Sequence, residues 1–121
     1  MGGRGAASGI VNRVPNADRA IIADSKITKY LLDPSGKHYK EFIAVGYSEN
    51  NPEILKNDLL KAVKESAAMA FEPNMHGNRT FHVDMTLGVT RKARFRASWQ
   101  IDTGKDFPRF VTAFRIGAKR K

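Results

Sequence analysis

Cysteine is absent from this chain of 121 residues, and its absence excludes several kinds of chemistry. A disulfide scaffold, a thiolate zinc finger and a cysteine nucleophile each need a thiol. Long apolar runs are absent as well: residues 67–71 (AAMAF) form one of the longest, whereas a membrane span needs about 20 apolar residues. Residues 1–9 also lack the apolar centre of a secretory signal. We therefore expect neither a membrane segment nor a disulfide-bonded fold.

Patterns typical of metal or cofactor sites are scarce too. The three histidines (His38, His76 and His82) are not closely paired, and the carboxylates lack the paired spacing of a two-metal nuclease. The sequence contains neither a phosphate-binding Gly-x-x-x-x-Gly-Lys loop nor a Gly-x-Ser-x-Gly elbow. We therefore expect no metal and no cofactor.

The charge of the chain is distributed unevenly. Lys and Arg total 21 and Asp and Glu total 12, so the net charge is +9. Residues 1–90 hold 11 bases and 10 acids, whereas residues 91–121 hold 10 bases and 2 acids, a net charge of +8. This concentration favours a polyanionic partner, most often nucleic acid, over a basic surface that only keeps the protein soluble.

The first half of the chain predicts helices. Residues 1–23 begin with a glycine-rich stretch and are interpreted as a flexible leader or linker. The alternative for residues 10–23, which include Pro15, is a short strand or turn. Apolar residues at helical spacing predict helices over 24–32, 37–45 and 51–66, and Asn51-Pro52-Glu53 is a strong helix start.

The second half predicts strands. Apolar and polar residues alternate over 80–87 and 92–101, and a further strand is expected over 107–116 after a turn at 102–106. Residues 67–71 are either a further strand or the last turn of the helix before them. The fold class is α+β: N-terminal helices packed on one face of a C-terminal antiparallel sheet of about four strands. The expected domain covers residues 24–116, and a basic tail follows at 117–121.

The polar face of two predicted strands carries side chains suited to phosphodiester chemistry. They are His82, Asp84, Thr86, Arg94, Arg96, Ser98 and Gln100. A histidine can move a proton, and arginines beside it can stabilise charge on phosphorus. The alternative is a solvated face whose charges have no catalytic role.

Five segments in a fixed order resemble a known family. They are residues 26–33 (KITKYLLD), 36–47 (GKHYKEFIAVGY), 51–60, 99–102 (WQID) and 108–114 (PRFVTAF). The set resembles a small domain found at the C-termini of bacterial polymorphic toxins and in phage-associated proteins. Its closing motif is similar to that of the metal-independent ribonucleases that include barnase, EndoU, colicin D and RelE. His38 stands where the family pattern has Lys, and Phe114 stands where it has Tyr.

This resemblance implies a set of site residues in addition to the polar strand face. Members of that superfamily often use a histidine or lysine from the helical part and a Ser or Thr from the last strand. On that basis Lys26, Lys37, His38 and Thr112 match functional positions. Together with the strand face, the candidate catalytic residues are His38, His82, Thr112 and Lys26, and the candidate substrate-binding residues are Lys37, Arg94, Arg96, Arg109 and Ser98.

The expected function is RNA cleavage by attack of the ribose 2′-hydroxyl, without a metal. The alternative is a non-catalytic basic module that binds nucleic acid or a phage structural protein. Expected partners are RNA and an acidic immunity or inhibitor protein that covers Arg94, Arg96 and the surroundings of Thr112. The expected location is the cytoplasm of the producing or target cell, with delivery as part of a larger phage or toxin protein.

Overall fold

The computed structural model describes residues 7–117, with side chains from residue 12 onward. The helical elements are α1 (Asp24–Lys26), which continues into one π-helical turn (Ile27–Leu31), α2 (Tyr39–Ile43) and α3 (Pro52–Glu65), and a short 3-10 turn (Ala17–Arg19) precedes them. The strands are β1 (Ala7–Val11), β2 (Ala68–Phe71), β3 (Arg79–Leu87), β4 (Ala93–Ile101) and β5 (Arg109–Arg115). Among the described residues, no helix is long and apolar enough to cross a bilayer.

The strands form one antiparallel sheet in the order β1-β2-β3-β4-β5, so the fold is α+β as predicted. The longest pairing joins β3 to β4, from Arg79 opposite Ile101 to Leu87 opposite Ala93. Within residues 7–117 the sheet has five strands rather than about four, because β1 adds to the edge of β2.

The core lies between one sheet face and the helices. On β3 the buried residues alternate with half-buried or exposed ones, as the period of two predicts, and β4 follows the same pattern except that Ser98 is also buried. Helix α3 begins at Pro52, directly after Asn51, and buries Leu55, Leu59 and Val63 on one face. The opposite face of the sheet therefore stays open and carries the polar side chains.

The structure corrects the interpretation of residues 7–23 as part of a leader, and residues 1–6 lie outside the described residues. Strand β1 pairs with β2, and Val14, Ala17 and Ile22 are buried in the core with exposed fractions of 2%, 8% and 5%. These apolar residues are few and irregularly spaced, and their partners lie far away in sequence, so no local pattern predicted them. Of the basic tail expected at 117–121, only Gly117 lies within the described residues.

The segment before α1 covers the outer edge of β5. Ile21 forms a parallel bridge with Arg109: its N–H donates to the carbonyl of Pro108 at 3.0 Å, and its carbonyl accepts from the N–H of Phe110 at 2.9 Å. Further along, Nζ of Lys26 donates to the carbonyl of Val111 at 3.0 Å. These bonds satisfy edge groups of β5 and place the first helical segment beside the last strand.

A buried tyrosine joins α2, α3 and the end of β3. The hydroxyl of Tyr47 donates to Oδ2 of Asp58 at 2.7 Å and accepts from the N–H of Gly88 at 2.9 Å. Tyr47 is only 2% exposed, and burial together with Asp58 raises the pKa of its hydroxyl well above the ordinary value of 10.0. Tyr47 therefore stays protonated and acts as a fixed structural link.

Tyr47→Phe tests this link. The variant leaves Asp58 and the buried N–H of Gly88 without their shared partner, so we expect the free energy of unfolding to fall by about 1–3 kcal/mol. Tyr39→Phe is the matched control, because Tyr39 donates to Glu49 on the exposed surface and its loss should change stability by less than about 0.5 kcal/mol. Denaturant unfolding measures both variants, and equal losses would contradict the assignment.

Candidate active site at the edge of the sheet

The helical segment and the last strand meet through a pair of hydroxyls. Oη of Tyr30 lies 2.7 Å from Oγ1 of Thr112 in a hydrogen bond that spans 82 positions of the chain. Nζ of Lys26, four residues before Tyr30, lies 5.0 Å from the centre of the Tyr30 ring. Both Lys26 and Tyr30 are half-buried, so an ammonium group and two hydroxyls share one partly sheltered place.

A histidine and a glutamate complete this group. The ring of His38 meets the Tyr30 ring edge-on, with 5.5 Å between centres and 80° between planes. Nδ1 of His38 lies 3.4 Å from Oε1 of Glu41, a loose contact, and the same carboxylate oxygen accepts from the N–H of Arg115 at 3.2 Å. The group is hereafter called the edge cluster and consists of Lys26, Tyr30, His38, Glu41 and Thr112.

The edge cluster has the components of metal-free phosphodiester chemistry. With Nδ1–H donating to Glu41, Nε2 of His38 carries the lone pair that can accept a proton. The His38 side chain is 12% exposed, so its orientation is restricted while an edge remains accessible. Lys26 supplies positive charge, and Thr112, when its Oγ1 accepts from the Tyr30 hydroxyl, keeps its own O–H to donate to a phosphate oxygen.

A second polar group lies on the open face of the sheet. Nε and Nη2 of Arg96 donate to Oδ1 and Oδ2 of Asp84 at 2.7 and 3.1 Å, a bidentate ion pair. This pairing lowers the pKa of Asp84 and raises that of Arg96. His82 lies beside them, and its pKa is lowered, first by burial and then by the charge of Arg96.

The remaining predicted arginines also have local partners. Arg109 donates through Nε to Asp102 at 2.7 Å, and Arg94 donates through Nη1 to the hydroxyl of Thr86 at 2.9 Å. His82 and Arg96 lie close enough to interact, but Asp84 engages Arg96, and a phosphate site formed by Arg94, Arg96 and His82 stays a prediction. Such half-exposed ion pairs are worth only about 0–1 kcal/mol, so an incoming phosphate can compete for them.

The strand register relates the two groups. His82 is opposite Ser98, and Ser98 is opposite Thr112, so the three residues form one row across β3, β4 and β5. Two strand spacings separate His82 from Thr112, which is roughly 10 Å. The structure thus divides the predicted residues: Lys26, His38 and Thr112 come together, His82 and Arg96 form a separate group, Ser98 is buried between them, and Lys37 is exposed just before His38.

Sequence reasoning missed two members of the edge cluster. The helical spacing over residues 24–32 places Tyr30 with Ile27 and Leu31 on the apolar face of that helix, and no motif singles out Glu41. Their spacing held a signal, since Tyr30 follows Lys26 by four residues and Glu41 follows His38 by three, which are spacings that bring side chains together on a helix.

Among the described residues, no three His, Asp or Glu side chains gather where a metal ion could be held.

A family model described as a domain of unknown function (DUF6883) matches residues 13–117, most of the chain and both polar groups. The chain belongs to the DUF6883 family. No curated protein and no solved structure matches it.

The titration of His82 provides a test of the open face of this DUF6883 domain. We expect its pKa to lie below 6.5, the ordinary value, because burial and Arg96 both disfavour the imidazolium. The folded state therefore favours neutral His82. Its contribution to the free energy of unfolding is fully present above pH 6.5 and decreases as the pH falls toward the lower pKa of the folded state. NMR of the imidazole protons against pH measures this value.

Arg96→Gln should raise the pKa of His82, because it removes the positive neighbour and leaves the negative charge of Asp84. Arg94→Gln, on the same strand and face, removes an equal charge that does not act on His82 and should leave the value nearly unchanged. A pKa at or above 6.5 in the unmodified protein, or equal shifts in both variants, would contradict the description.

Proposed function

We propose that this DUF6883 domain is a metal-independent endoribonuclease whose catalytic residues belong to the edge cluster. One observation carries the proposal: Lys26 and His38 from the helical half surround the same tyrosine that hydrogen-bonds Thr112 of the last strand. The resemblance to metal-independent ribonucleases assigned these positions from sequence motifs alone. Their meeting in space, across more than 70 residues of chain, supports a shared role.

RNA brings its own nucleophile, so the reaction needs only proton transfer and charge stabilisation. His38 takes the proton of the ribose 2′-hydroxyl, and the 2′-oxygen forms a bond to the adjacent phosphorus. Lys26 and the hydroxyl of Thr112 stabilise the charge on the non-bridging oxygens. The bond from phosphorus to the 5′-oxygen breaks, and the leaving oxygen takes a proton from water, because the Tyr30 proton stays in the hydrogen bond that positions Thr112. His38 then releases its proton to the resulting hydroxide, leaving a 2′,3′-cyclic phosphate.

The bases of residues 91–121 have the separate role of holding the RNA strand. Seven of the ten bases in residues 91–121 lie within the described residues, and they include Arg94 beside Thr86. Exposed side chains of this kind contact phosphates without regard to sequence. The same charge would attract an acidic inhibitor protein, and we propose such a protein as the partner that restrains the enzyme in the cytoplasm of the cell that makes it.

Incubation of the protein with total RNA in excess EDTA tests the proposal. We expect cleavage that persists in EDTA and leaves 2′,3′-cyclic phosphate ends. His38→Gln should slow it by about 100-fold or more, the usual contribution of a positioned general base. His76→Gln is the matched control, because His76 lies exposed in a turn between β2 and β3 and should leave the rate unchanged.

The folding of each variant is checked by thermal unfolding, and RNA affinity is measured alongside the cleavage rate. Intact RNA under all conditions, with affinity that falls as salt increases, would instead support the alternative of a non-catalytic nucleic-acid-binding module. Equal rates in the two histidine variants would remove His38 from the mechanism. If His82→Gln alone abolished cleavage, the catalytic base would lie on the open face.

A further inference from the structure

A pocket of about 310 Å³ opens on the polar face of the sheet, away from the edge cluster. Met69 and two alanines of the β2 region line one part of it, and Phe71, His82, Asp84 and Arg96 line the rest. The pocket is mostly apolar, and among the described residues that line it the polar ones all lie on β3 and β4. Its volume is at the small end of ligand sites, which suits one ring system rather than an extended ligand.

Two flat side chains form one wall of this open-face pocket. The rings of Phe71 and His82 lie 4.5 Å apart between centres, with 54° between planes. Burial lowers the pKa of His82, so its ring is neutral at pH 7 and behaves as an aromatic surface. Aromatic rings of this kind hold unstacked bases of single-stranded RNA.

The other wall offers a donor and an acceptor next to each other. Asp84 binds Nε and Nη2 of Arg96, so Nη1 remains as a donor, and each carboxylate oxygen has a second lone pair. The Arg96 side chain is 40% exposed and the Asp84 side chain is 37% exposed, so both are accessible from the pocket. A nucleobase edge carries donors and acceptors side by side and matches this arrangement.

We infer that the open-face pocket binds one base of a single-stranded RNA, which stacks on the ring of Phe71 beside the tilted ring of His82 while Asp84 and Arg96 hydrogen-bond its edge. The inference rests on the proposed function, since the base belongs to the strand that the edge cluster cleaves. The row of His82, Ser98 and Thr112 places the pocket roughly 10 Å from the hydroxyl of Thr112, on the same face of the sheet. A base near the cleaved phosphate is therefore within reach, and the pocket selects which bond is presented.

Equilibrium binding of a 2′-O-methyl RNA tests the pocket without any cleavage, because the 2′-oxygen of this probe cannot attack phosphorus. We expect Phe71→Leu to weaken binding by about 5-fold or more, the lower range for loss of one stacked base. Phe114→Leu is the matched control: Phe114 is the cross-strand neighbour of Arg96 but does not line the pocket, and its variant should bind like the unmodified protein. Fluorescence anisotropy of labelled oligonucleotides measures both.

A second probe separates the base from the phosphates. It is a series of oligonucleotides, each with an abasic site at a different position of the strand. The unmodified protein should bind one member of the series more weakly than the others, and Phe71→Leu should abolish that difference. Equal affinities for the Phe71 and Phe114 variants, or no position-dependent loss, would overturn the inference. If the pocket passes these tests but the protein leaves ordinary RNA intact, the base-binding pocket is supported and the proposed ribonuclease activity is contradicted.

Discussion

The hydrogen bonds that close the outer edge of β5 are the constraint on which the candidate active site depends. An exposed strand edge carries unpaired N–H and C=O groups that need partners. In this DUF6883 domain Ile21 pairs with the start of β5, and the ammonium group of Lys26 donates to the carbonyl of Val111. These hydrogen bonds place the following helical turn beside Thr112, and the contact between Tyr30 and Thr112 results from this placement.

Electrostatic pairing gives the two polar groups different properties. In the open-face pocket, Arg96 and Asp84 neutralise each other, so the pocket offers shape and hydrogen bonds more than net charge. At the edge, Glu41 makes a loose contact with His38 and a backbone hydrogen bond to Arg115, while Lys26 binds a neutral carbonyl and keeps its charge available. The edge is consequently better suited to stabilising a developing negative charge, and the open face is better suited to recognition.

Local patterns predicted most of the fold, and non-local contacts account for what they missed. The alternation in β3 and β4 and the Asn51-Pro52 start of α3 are properties of neighbouring residues, and those elements were predicted within a few positions. Strand β1 forms by pairing with residues about 60 positions away, so no local sequence pattern predicts it. The same reason explains the site: motifs pointed to His38 and Thr112, whereas the link through Tyr30 exists only in the folded chain.

The central claim is that the edge cluster acts as one catalytic unit, and a double-mutant cycle on the rate of RNA cleavage tests it most directly. Tyr30→Phe and Thr112→Val each remove one hydroxyl of the 2.7 Å hydrogen bond with little change in volume. Since residues that act together give non-additive losses, the account predicts that the double variant cleaves no more slowly than the slower single variant. Losses that multiply, or rates equal to that of the unmodified protein in all three variants, would contradict it.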